Sequence, residues 1–226
     1  MVLRAHGPTP EARAALGELC AAYWNPVCRF LRREGRSDDA SAELTQAFFA
    51  RVLGGSGLPN ADPAKGRFRS YLLGALKHFL AEQKRNEGRE KRGGGAALES
   101  IDREGTDTSP GLQIADPAGE ISDKHFDREW ALAVMDRSLN AVRDSLEKAG
   151  KQAQFDVLKP WLAGDTDNLS QADAAAALGV STGAVKVMIH RLRKDFRAAV
   201  EAEIAQTVPG GEDISAELRY LIEVLS

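Results

Sequence analysis

The sequence predicts an all-α protein, and three observations carry that prediction. Apolar residues recur at three- and four-residue spacing along most of the chain. Alternating runs of β-branched and aromatic residues, the mark of half-buried strands, are nearly absent. Capping residues, glycines and prolines stand where the helical periods begin and end. With 226 residues the chain has room for one large or two small domains. The punctuation favours two: small helical domains at 1–92 and 123–208, a flexible linker at 93–122, and a helical extension at 209–226.

Thr9-Pro10 starts the first helix, a capping residue followed by proline at the first helical position. Leu16, Leu19, Cys20 and Tyr23 follow at helical spacing. Asn25-Pro26 predicts an interruption, because proline disfavours helix at the residue before it. A second helix with Val27, Phe30 and Leu31 then stops near Gly35. Asp38-Asp39 precede a third, Ala40 to Leu53, whose apolar face holds Leu44, Phe48 and Val52. Residues 54–66 are dense in glycine and proline and predict a loop, of a length that is functional or disordered. The fourth helix, Phe68 to Arg92, buries Leu72, Leu73, Leu76, Phe79 and Leu80. Between Lys65 and Arg92 stand nine basic residues against three acidic ones. Phe68 and Tyr71 lie among them. Aromatics interleaved with arginine suit a single-stranded nucleic acid, because every base has a face that can stack. Both rings fit a core equally well.

Residues 93–122 change character, with six glycines, two prolines, six acids against Arg103 and no hydrophobic period. They predict a flexible acidic linker. The second domain opens with a long helix from Asp123 to Ala149, carrying Phe126, Trp130, Leu132, Val134, Leu139, Val142 and Leu146. The next helix holds Phe155, Leu158, Trp161 and Leu162, and Pro160 should kink or end it. Ser170 is an N-cap before an alanine-rich helix, and Gly179 is placed for a tight turn. Ser181 caps a further helix whose buried face is Val185, Met188, Ile189, Leu192 and Phe196. Short helix, glycine turn and second helix make a helix-turn-helix. Periodicity alone fits an ordinary packed hairpin as well. Lys186, Arg191, Arg193, Lys194 and Arg197 against Asp195 tip residues 182–197 toward DNA. After Pro209-Gly210-Gly211, residues 215–225 form an amphipathic helix with Leu218, Leu221, Ile222 and Leu225 on one face, expected to pack back on the second domain.

The net charge of −3 makes the case for nucleic acid a local one. Cys20 and Cys28 sit in apolar helical context and form no disulfide framework, and His6, His78, His125 and His190 are dispersed. The residues therefore predict no metal, no cofactor and no catalytic centre, hence no enzyme. No apolar run spans a membrane and no signal peptide heads the chain, which predicts a cytoplasmic, nucleoid-associated protein with no membrane partner.

Two local patterns together resemble the sigma-70 family, in its extracytoplasmic-function (ECF) group. Gly179-Val180-Ser181, Gly183, Val185-Lys186, Ile189-His190-Arg191 and Arg193 resemble region 4. Glu43-Leu44, Gln46, Phe48, Gly66-Arg67-Phe68 and Tyr71-Leu72-Leu73 resemble region 2. The resemblance implies a sigma factor that binds RNA polymerase core, through the beta-prime clamp helices and the beta flap, and initiates transcription at specific promoters. It implies that Ser181, Thr182, Lys186, Val187, His190 and Arg191 read the −35 element, with Arg193 and Lys194 on phosphates. It places the −10 element against Asn60, Lys65, Arg67, Phe68, Arg69 and Tyr71, with Lys77, Lys84 and Arg85 along the DNA further on. Polymerase would be met by Glu43, Leu44, Gln46 and Ala47. Ala47 stands where the group places an acid, and Ser41 and Thr45 are hydroxyls. That departure resembles a subgroup switched on by a serine/threonine kinase, with phosphorylation at Thr45, ahead of Ser41, restoring negative charge. An anti-sigma factor and the C-terminal helix are the other candidates for control. The competing function is a stand-alone helix-turn-helix regulator binding duplex DNA, which leaves the basic fourth helix without a role.

Overall fold

A computed structural model describes residues 9–56, 67–90, 117–162, 169–208 and 211–226. Among them every regular element is helical, as the sequence predicts. The α-helices are α1 (Pro10–Arg33), α2 (Asp38–Arg51), α3 (Phe68–Glu90), α4 (Pro117–Lys148), α5 (Gln152–Leu158), α6 (Gln171–Leu178), α7 (Thr182–Ala205) and α8 (Gly211–Leu225). A π-helical turn, Val52–Ser56, extends α2, and a 3-10 turn, Lys159–Leu162, extends α5. No single helix among the described residues is long and apolar enough to cross a membrane. The chain divides into two compact units, residues 27–127 and residues 1–26 with 128–226.

The 27–127 unit is held by an aromatic core. Phe48 of α2 lies 5.7 Å from Phe79 of α3, and Phe30 of α1 meets Phe126 of α4 edge-on at 5.8 Å. Leu31, Val52, Leu72 and Leu76 are buried in the same unit. Ser37 caps α2, accepting the Ala40 N–H at 3.3 Å, and Asp38 and Asp39 lie in the first turn, where negative charge suits the helix dipole. α4 starts at Pro117 rather than Asp123. Proline at a first helical position loses no bond, so the helix takes in the last residues of the stretch read as linker. The rest of that stretch, 93–116, lies outside the described residues.

The expected break at Asn25-Pro26 does not occur: α1 runs through Pro26. Pro26 has no N–H for the carbonyl four residues back, which is that of Ala22. The Arg137 guanidinium of α4 takes that place, its Nη1 donating to the Ala22 carbonyl at 2.9 Å. Its Nε donates to Glu203 of α7 at 2.7 Å, which fixes the guanidinium. A side chain thus satisfies the part-buried acceptor that proline orphans. Cys20 of α1 is free and buried, and burial pushes its thiol up to about 11.

In the second unit Val142, Phe155, Leu158, Trp161, Ala174, Ala175, Val185, Ile189 and Leu192 form one cluster. α5 ends two residues before Pro160, as proline requires. α8 starts at Gly211, four residues earlier than its apolar period, and packs against α7, burying Leu221 and leaving Ile222 exposed. Pro209 and Gly210 lie outside the described residues.

Candidate nucleic-acid interface

α6 and α7 meet at a bend of 97°, within the range of helix-turn-helix units. Local chemistry fixes that angle. Ser170 accepts the Asp173 N–H at 3.1 Å to start α6. Gly179 ends it in the left-handed region, φ 65°, and the Val180 N–H closes back on the Ala175 carbonyl at 3.0 Å. Ser181 then accepts the Ala184 N–H at 3.2 Å to start α7. Val185, Ile189 and Leu192 anchor one side of α7 in the core.

The other side is open. Ser181, Thr182, Lys186, Val187, His190, Arg191 and Lys194 are all exposed. Lys186, Arg191 and Lys194 make no ion pair among the described residues. Arg193 differs: its Nε donates to the Trp161 carbonyl at 3.0 Å, so the side chain is spent on closing the 3-10 turn after α5. Arg197 pairs with Glu201 one turn on, at 2.9 Å. The outward surface is therefore a short polar and cationic strip with Val187 in its middle.

The basic helix α3 is arranged otherwise. Arg69, assigned to displaced DNA, is 3 % exposed, and its Nε meets Asp127 of α4 at 2.9 Å. That assignment is corrected: a guanidinium costly to bury alone is held inside by a carboxylate 58 positions away. Lys77 pairs with Asp123 at the surface. Phe68 is buried, and the Tyr71 ring stacks on it at 6.4 Å, so the core reading of Phe68 is the one the structure bears out. Burial raises the Tyr71 phenol above its usual value. Arg67, Lys84 and Arg85 are exposed. Glu82 is engaged by Arg51 of α2, whose guanidinium hydrogen bond holds the carboxyl below its ordinary range. Asn60 and Lys65 lie outside the described residues.

On α2, Glu43, Gln46 and Ala47 are exposed and Leu44 is half-buried. Ser41 and Thr45 are fully buried. Thr45 Oγ1 donates to the Ser41 carbonyl at 2.7 Å, and Ser41 Oγ has no hydrogen-bond partner. The expectation of accessible phosphate acceptors is not met. Positions 41, 45, 48 and 52 fall on one helical stripe, so both hydroxyls share the face of Phe48 and Val52. Among the described residues no group of histidine, cysteine and carboxylate side chains could hold a metal ion.

A family model for the ECF sigma factor matches residues 18–202, more than four-fifths of the chain, taking in α3, α6 and all but the last three residues of α7. The chain belongs to the ECF sigma factors. It is an alternative sigma factor, a transcription initiation factor that directs RNA polymerase to promoters. RNA polymerase core and promoter DNA are its partners. No curated protein and no solved structure matches the chain significantly. The family match ends inside α7, so α8 lies outside it. Sequence reasoning missed Asp123, Asp127 and Arg137. The two aspartates had a signal, being four apart on one face of α4.

Proposed function

We propose that this sigma factor divides promoter recognition among three surfaces. The outer face of α7 reads the −35 element through Ser181, Thr182, Lys186, Val187, His190 and Arg191, with Lys194 on phosphate. The exposed face of α2, with Glu43, Gln46 and Ala47 beside half-buried Leu44, docks on the polymerase clamp helices. Arg67 meets the displaced strand of the −10 element, and Lys84 and Arg85 line the DNA further on. The observation that carries the reading is the α7 face: three exposed cations with no ion pair among the described residues, on a helix capped by Ser181 and set off from α6 by the Gly179 turn. Such cations stand ready for phosphates and base edges. In a reconstituted assay with core polymerase, the expected result is promoter-specific run-off that depends on this protein and is lost in Lys186→Ala with Arg191→Ala. Tight sequence-specific binding by the free protein as a dimer would overturn it in favour of a stand-alone regulator.

Phosphorylation at Thr45 or Ser41 is not part of this reading. A phosphate adds about −1.5 to −2 charges, and neither hydroxyl reaches the surface. Charge at either site would expel α2 from its aromatic core rather than sharpen an acidic docking face. Thr45→Glu is expected to unfold the 27–127 unit and abolish transcription, as followed by circular dichroism and run-off. A folded Thr45→Glu protein that transcribes better than wild type would restore the kinase switch.

A further inference from the structure

Two features of the α7 face remain after its cations are assigned. Gly183 lies in the first turn of the helix, and glycine is among the poorest helix formers. Its surroundings give no reason for it. Its φ is not positive, and a Cβ built there would meet only the Ser181 hydroxyl at 3.9 Å, an ordinary contact. Val187 is four residues on and therefore on the same face. It is 50 % exposed, one of the few large apolar side chains left at the surface among the described residues. Around this bare strip of backbone and its neighbouring isopropyl group stand Lys186, His190, Arg191 and Lys194, all exposed.

We infer that Gly183 and Val187 form one apolar notch that takes the C5-methyl group of a thymine in the −35 duplex, and that this pair is a specificity determinant. The inference rests on the reading that α7 lies in the major groove. Thymine is the base that presents a methyl group there, and apolar side chains are the groups that cover it. Valine has no polar side-chain atom with which to read any other base edge. The missing Cβ of Gly183 lets the base approach the helix closely. Lys186, Arg191 and Lys194 around the notch fit a polyanion and disfavour an apolar peptide as its occupant.

The test uses holoenzyme assembled from core polymerase and the full chain. A promoter library randomised through the −35 element is selected for binding. Each thymine of the selected sequence is then replaced in turn by uracil, which removes only the methyl group. Wild type is expected to select thymine at one position and to bind about fourfold more weakly when it becomes uracil, the fold-change for one buried methyl group. Val187→Ala should bind the thymine and uracil promoters alike. Gly183→Ala should fold normally and lose affinity for the thymine promoter more than for the uracil one, because its methyl competes for the notch. The inference is overturned if Val187→Ala discriminates uracil from thymine as strongly as wild type, or if no position selects thymine. Lys186→Ala with Arg191→Ala separates the two levels. If that variant binds as wild type does, α7 is not the reading helix. If it loses binding while Val187→Ala keeps the thymine–uracil gap, only the notch is wrong.

Discussion

α3 and α7 look alike along the sequence and differ in space. Each carries a surplus of lysine and arginine and each lies inside the family match. On α7 the cations that face outward meet no carboxylate among the described residues, apart from the local pair of Arg197 with Glu201. On α3 two cations are already engaged, Arg69 by Asp127 in the interior and Lys77 by Asp123 at the surface. The difference shows that a count of basic residues measures charge, whereas binding needs charge that is unspent. What spends it is another helix: α4 carries two carboxylates, Asp123 and Asp127, one turn apart, and both meet α3.

The comparison breaks most visibly at Arg69. Arg69→Ala removes one side of a buried pair and should cost about 3–5 kcal/mol of stability, read as a lower urea midpoint for the 27–127 unit. Promoter affinity of the molecules that stay folded should hardly change; a folded variant with selectively impaired −10 binding would return Arg69 to the DNA surface. Lys186→Ala with Arg191→Ala should show the opposite signature. Run-off should fall about 100-fold, since each good contact to a base edge is worth ~1–3 kcal/mol. Stability should stay within about 0.5 kcal/mol, as for exposed residues outside any network. Equal loss of stability in both variants would erase the distinction drawn between the helices. The smallest effect is expected at Asp123→Asn. Releasing Lys77 gives the DNA one more phosphate contact, so the slope of log affinity against log salt should steepen by roughly 0.7 to 0.9. The pair is exposed, and its loss should cost less than about 1 kcal/mol of stability. An unchanged slope would mean that Lys77 does not meet DNA.

What was legible in the sequence was local. Ser170, Gly179 and Ser181 act within four residues of themselves, so their roles follow from spacing alone. The apolar stripes of α2, α3 and α7 follow from period for the same reason. Ser41 and Thr45 were legible too, since their register with Phe48 and Val52 puts them inside; chemical type had outweighed position. Arg69 and Pro26 were not legible. Their surroundings are set by Asp127 and Arg137, 58 and 115 positions from the groups they meet, and even the four-residue spacing of Asp123 and Asp127 does not say which cations they reach. The candidate site divides in the same way, with the α7 surface following from its own repeat and the α3 surface decided by a helix beyond the linker.

The bond from Arg137 to Ala22 joins residues 115 positions apart. Synthesis runs from the N-terminus, so the ribosome completes α1 long before it adds Arg137. Until then the Ala22 carbonyl has only water to bond, and the turn around Pro26 is the weakest in α1. The turn of α1 around Pro26 therefore gains its last hydrogen bond only once α4 has been made.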